Sequence, residues 1–98
     1  LRLEQVKFIQ KKVKSIKNPV FLAGDMNAKP DSPEMAFLRK GWDDLTNREL
    51  TYSTKEPSIK IDYIYCRKGS GVKLIDTKVC HDTVLSDHFP VVANIEIN

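Results

Sequence analysis

Cysteine, tryptophan and glycine are scarce in this chain of 98 residues, which holds two Cys, one Trp and four Gly. Cys66 and Cys80 sit in apolar segments without CxxC spacing, which leaves a zinc site little support. Buried free thiols are the expectation, with a disulfide between neighbouring strands as the alternative. So few Gly and Pro, beside 41% hydrophobic residues, exclude a disordered or fibrous chain. No apolar run approaches the roughly 20 residues of a membrane span. Charge of one sign is also lacking, since 16 Lys and Arg against 13 Asp and Glu leave only +3, too little to argue by itself for nucleic acid. The opening LRLEQVKFI shows neither an initiator Met nor a signal-peptide core, and localisation cannot be read from it. No repeat, low-complexity tract or linker divides the chain, so residues 1–98 read as a single unit. At this length a folded chain buries roughly 60 to 70% of its unfolded surface, enough for a modest core.

The pattern that is present begins with a helix. Val6, Ile9, Val13 and Ile16 recur at spacings of three or four, while Lys7, Lys11, Lys14 and Lys17 fall on other faces as a solvated stripe. Asn18-Pro19 should stop that helix. Val20 to Ala23 then read as a short buried strand. In AKPDSPEMAFLRKG, Asp31 and Glu34 suit a capping box, Pro33 a first turn and Gly41 a helix end, with Met35, Phe37 and Leu38 as the buried face. WDDLTN reads as a loop. Four stretches with strand character follow: LTYST, IKIDYIYC, VKLIDTKVC and FPVVANIEI. The order helix, strand, helix, then a run of strands predicts an α+β layered sheet structure.

Three polar groups stand where those strands end or are interrupted. Asp25 and Asn27 follow VFLAG and would share one side if the strand persists through them. Asp62 breaks the apolar IKIDYIYC, where an ionised carboxylate needs a partner. Asp87 and His88 precede the last strand. Singly, each has a plain structural explanation: turn residues, a satisfied acid, a structural histidine. Together they suit phosphate ester hydrolysis, which needs an activated water, neutralised phosphoryl oxygens and a proton or cation at the leaving oxygen. Carboxylates offer hard ligands to Mg²⁺ or Mn²⁺, and an imidazole paired with an acid offers an adjustable proton.

Three words in this order, GDMN at 24–27, IDYI at 61–64 and SDHFPV at 86–91, make the chain resemble the endonuclease/exonuclease/phosphatase superfamily with the DNase I-like fold. The resemblance implies the C-terminal part of a four-layer α/β sandwich with mostly antiparallel strands. It implies that Asp25 activates the attacking water, that Asn27 hydrogen-bonds the phosphoryl group, and that His88 contacts the phosphate and stabilises its charge. Asp62 would orient His88, and Asp87 would be associated with Mg²⁺ or Mn²⁺. The function implied is a divalent-metal-dependent phosphoesterase acting on a phosphate ester, with nucleic acid and phospholipid headgroups among the candidate substrates and no membrane span.

The departures are as informative. An early metal-site Asn, the Glu that is the main metal ligand, and a second histidine with its acidic partner have no counterpart here. The polypeptide alone is therefore expected to be inactive, with the missing N-terminal part of the same domain as its required partner. The interval LTYSTKEPSIK lacks the Trp and Arg usual in members acting at abasic DNA, which argues against a repair role. Thr51 and Tyr52 could line the cleft. Lys60 is expected to face solvent, with a phosphate contact as the alternative, and His81 to lie on the surface. Two rival readings remain at this level: a non-catalytic phosphate- or nucleic-acid-binding module that keeps the fold, and an interaction domain.

Overall fold

The structure, a computed structural model, describes residues 2–81 and 85–98. Helix α1 spans Leu3–Val13 and helix α2 spans Pro33–Leu38; the strands are β1 (Phe21–Asp25), β2 (Trp42–Asp44), β3 (Asp62–Arg67), β4 (Val72–Val79) and β5 (Val91–Ile97). One sheet has the order β1-β3-β2, and β4 pairs with β5 in a second sheet of two strands. All these pairings are antiparallel. The α+β class read from the sequence is the class observed. Among the described residues no helix is long and apolar enough to cross a membrane.

Helix α1 ends earlier than the pattern predicts. It stops at Val13, and the Arg67 side chain explains why: its guanidinium donates to the carbonyls of Val13, Ile16 and Asn18, satisfying groups that a helix end leaves unpaired. Ile16 is consequently outside the helix and exposed. Helix α2 is capped by Ser32 rather than Asp31, with Ser32 Oγ accepting from Met35 N at 3.3 Å and Pro33 in the first turn. Gly41 N donates to the carbonyl of Leu38 just beyond its end.

Three further differences concern strands. β1, read as a buried strand, is exposed along most of its length, because it lies at the edge of its sheet with no strand beyond it among the described residues. Trp42–Asp44, expected as loop, pairs with the end of β3 because the Trp42 ring is buried against the helices. The stretch LTYST makes no continuous strand; Tyr52 forms single bridges to Ile59 and to His88. The chain is thereby tied at one point to both of the segments that carry site residues.

Strand alternation divides the β1-β3-β2 sheet into two faces. Tyr63 and Tyr65 point to the helices and join Val6, Met26, Met35, Leu38 and Trp42 in the core, their rings stacked 5.5 Å apart. Burial raises the phenol of Tyr63 above its ordinary range and that of Tyr65 to about 12, so both keep their protons. The opposite face carries Phe21, Ala23 and Asp25 of β1, paired in register with Cys66, Ile64 and Asp62 of β3. Cys66 is buried, Cys80 is partly buried, and both are free thiols.

Candidate active site

The pairing register puts Asp25 directly across from Asp62. Like charges in that position destabilise a sheet unless something lies between them. His88 supplies it: Nδ1 is 2.8 Å from Asp62 Oδ2, and Nε2 is 3.8 Å from Asp25 Oδ2. The Asp62 side chain is 13% exposed against 45% for Asp25, so the closer contact is also the drier one. A carboxylate at Nδ1 fixes the imidazole tautomer, leaving Nε2 toward the open side.

His88 reaches this position through a short chain of contacts. Its backbone bridges to Tyr52, Phe89 N donates to the carbonyl of Thr51 at 2.8 Å, and Thr54 N donates to the carbonyl of Asp87 at 3.0 Å. The Tyr52 ring packs 4.8 Å from the imidazole. Thr51 is fully buried, and its Oγ1 accepts from Ile61 N at 3.1 Å and from Asp62 N at 3.3 Å. Thr51 and Tyr52 therefore frame the pair from behind and from the side.

Asp25 ends its strand instead of continuing it. Met26 N still donates to the carbonyl of Ile61, but Asn27 N turns back to Asp25 Oδ1 at 2.7 Å and Asn27 adopts φ of 48°. The picture of Asp25 and Asn27 on one side of a continuing strand is thus replaced by a tight turn that holds one carboxylate oxygen of Asp25. Gly24, paired with Tyr63 just before it, has φ of 133°, in a region other residues avoid.

The hydrogen bond that His88 donates to Asp62 is the leading cause that raises the His88 pKa; burial opposes it, and the charges of Asp62, Asp25 and Asp87 reinforce it. An imidazolium is thereby favoured between the two acids.

The model of the endonuclease/exonuclease/phosphatase family matches residues 2–88. The chain belongs to that family. No curated protein matches it. Among solved structures, it resembles a conserved protein of unknown function from Enterococcus faecalis with TM-score 0.80 and 24% identity, covering 98% of this chain and 44% of that one. An endonuclease/exonuclease/phosphatase from Bacteroides vulgatus superposes with TM-score 0.81 and 21% identity, covering 97% and 43%. A mannosyl-6-phosphatase from Bacteroides thetaiotaomicron does so with TM-score 0.76 and 21% identity, covering 97% and 45%. The fold is part of the DNase I-like fold, and the chain spans under half the length of these structures.

Asp25, Asp62 and His88 are also the group whose ligand atoms all lie within 4.8 Å of one another. As a magnesium site this set fits poorly. A hard ion asks for about six oxygen ligands in tight octahedral geometry, whereas one of these three is a nitrogen and Asp62 is already spent on it. Asp87 stands outside the group, exposed, with Ser86 Oγ at 3.3 Å from its Oδ1. His81 lies at the surface as expected, its ring edge-on to Phe89.

Lys60 does not face solvent: it is 3% exposed, with Nζ 2.9 Å from Thr46 Oγ1 and 2.9 Å from the carbonyl of Asp62. Burial lowers its pKa, while Asp44 and Asp62 push the other way. The signal in the sequence was a lone cation between Ile59 and Ile61, with a stem long enough to cover apolar surface.

Proposed function

We propose that this chain is part of a divalent-metal-dependent phosphoesterase in which Asp25, Asn27, Asp62 and His88 act on one scissile phosphate. The observation that supports the reading is a single imidazole bracketed by two carboxylates at the tips of paired strands. In the proposed division of labour, Asp62 holds Nδ1 of His88 and favours the imidazolium, whose Nε2–H faces the phosphoryl oxygens as charge grows on them. Asp25 is the more exposed acid and accepts the proton of the attacking water, oriented by the bond from Asn27 N. The side-chain amide of Asn27 donates to the phosphoryl group.

A Mg²⁺ or Mn²⁺ ion, when bound, supplies Lewis-acid neutralisation of the phosphate charge. Asp87 is the contribution proposed from this chain, and the remaining ligands come from the part of the domain outside these residues. It follows that the 98-residue chain alone is inactive, and that phosphomonoesters and phosphodiesters are both open as substrates.

The test is turnover by the full-length protein of an aryl phosphate and a bis-aryl phosphate, with and without magnesium. Magnesium-dependent release is expected, and His88→Ala or Asp25→Ala should each lower kcat/KM by at least about a hundredfold. Undiminished turnover in either variant would falsify the assignment. Salt-sensitive phosphate binding with no turnover would instead point to a binding module on the same fold.

A further inference from the structure

The scheme above uses no group from the interior, yet an ionisable side chain lies there. A buried ammonium is costly unless its hydrogens are met, and among the described residues Lys60 has no carboxylate at salt-bridge distance. Its Nζ is met instead by two neutral oxygens, Thr46 Oγ1 and the Asp62 carbonyl, and by the Tyr63 ring 4.4 Å away. Thr46 Oγ1 lies 2.5 Å from Asp44 Oδ1 at the end of β2. The Tyr63 hydroxyl donates to the carbonyl of Ala28 at 2.8 Å, in the loop just after Asp25, and also lies 3.2 Å from the Lys60 carbonyl.

One side chain thus ties together the end of β2, the first residue of β3 and, through Tyr63, the loop that follows Asp25. Asp62 is the residue most affected. Its carbonyl is held by Lys60 Nζ and its N–H by Thr51 Oγ1, so side chains fix both of its backbone polar groups. The carboxylate that meets His88 Nδ1 at 2.8 Å projects from this fixed peptide.

We propose that Lys60 is a positioning residue for the hydrolysis, clamping the Asp62 backbone so that its carboxylate is aimed at His88. The catalytic consequence rests on the phosphoesterase reading above; the aiming itself does not.

Lys60→Met in the full-length protein separates the two. The first readout is the His88 midpoint by NMR, taken without substrate. The groups facing His88 are the carboxylates of Asp62, Asp25 and Asp87 and the Tyr52 ring, and the substitution changes none of them. If Lys60 acted only through its charge, removing a cation near the imidazolium would raise the midpoint. Loss of aim weakens the Asp62 hydrogen bond and lowers it. A fall in the midpoint is the expected result, with kcat down about tenfold and KM within about twofold. Thr46→Val removes one of the two oxygens that seat the ammonium and should lower the midpoint in the same direction by less; it decides the matter if Lys60→Met does not fold. A midpoint that stays or rises in the folded variants overturns the proposal, even if the wild type hydrolyses esters. A midpoint that falls while the wild type turns over no ester upholds the aiming and overturns the phosphoesterase reading.

Discussion

The sheet of β1, β3 and β2 and the ribbon of β4 and β5 are built on opposite terms. From Asp62 to Tyr65, β3 alternates half-buried and buried residues because helices α1 and α2 cover one of its faces, and Cys66 is buried on the other. β4 and β5 are mostly exposed, with Leu74, Ile75, Val92 and Ile97 open to solvent. A two-stranded ribbon is marginal by itself, whereas the helix-covered sheet carries its own core. The site straddles the two: Asp25 and Asp62 come from the covered sheet, and His88 comes from the segment leading into β5. Asp62 is therefore held within the packed sheet, and Asp25 by its pairing with it. The imidazole is held by a few hydrogen bonds through Thr51, Tyr52 and Thr54.

Stability measurements should expose that contrast. Trp42→Ala removes a ring only 2% exposed and should cost about 3–5 kcal/mol in a denaturant titration. A cost below about 1 kcal/mol would mean that the covered sheet is not the stable region. Next in size is Gly24→Ala. Nothing lies within 4 Å of the added Cβ, so any loss comes from the φ of 133°, and on the order of 1–3 kcal/mol is expected. An unchanged midpoint would show that the end of β1 relaxes freely. The smallest effect belongs to the ribbon. Ile75→Ala, at 53% exposure, should stay within about 0.5 kcal/mol, and a large loss would mean that the ribbon is buried against another part of the molecule.

Legibility in the sequence followed the same division. Long patterns were readable as elements: the period of α1 as far as Val13, the strands β1, β4 and β5, and the order of the three family words. The burial of β1 was not, because an apolar run does not say whether its strand is central or at an edge. What escaped depended on contacts from distant residues. Helix α1 stops at Val13 because Arg67, far along the chain, takes its carbonyls. Trp42–Asp44 has one apolar residue in three, and only pairing with β3 makes it a strand. Lys60 precedes the first residue of β3, so alternation along the strand could not say which way it points. Site residues were legible as types in sequence order, but the pairing of Asp25 opposite Asp62 required the register, which no single segment encodes.

The pH dependence of stability follows from the same pair. The His88 pKa is raised in the folded chain, first by the Asp62 hydrogen bond, so the stability this contributes is fully present below the ordinary histidine range and is lost as pH rises through the folded value.

The account stands on a physical coupling between strand tips, and the titration of His88 by NMR in the wild type and in Asp62→Asn tests it most directly. A wild-type midpoint above the ordinary range that drops when Asp62 loses its charge is the predicted result. An ordinary midpoint that is indifferent to Asp62 would contradict it.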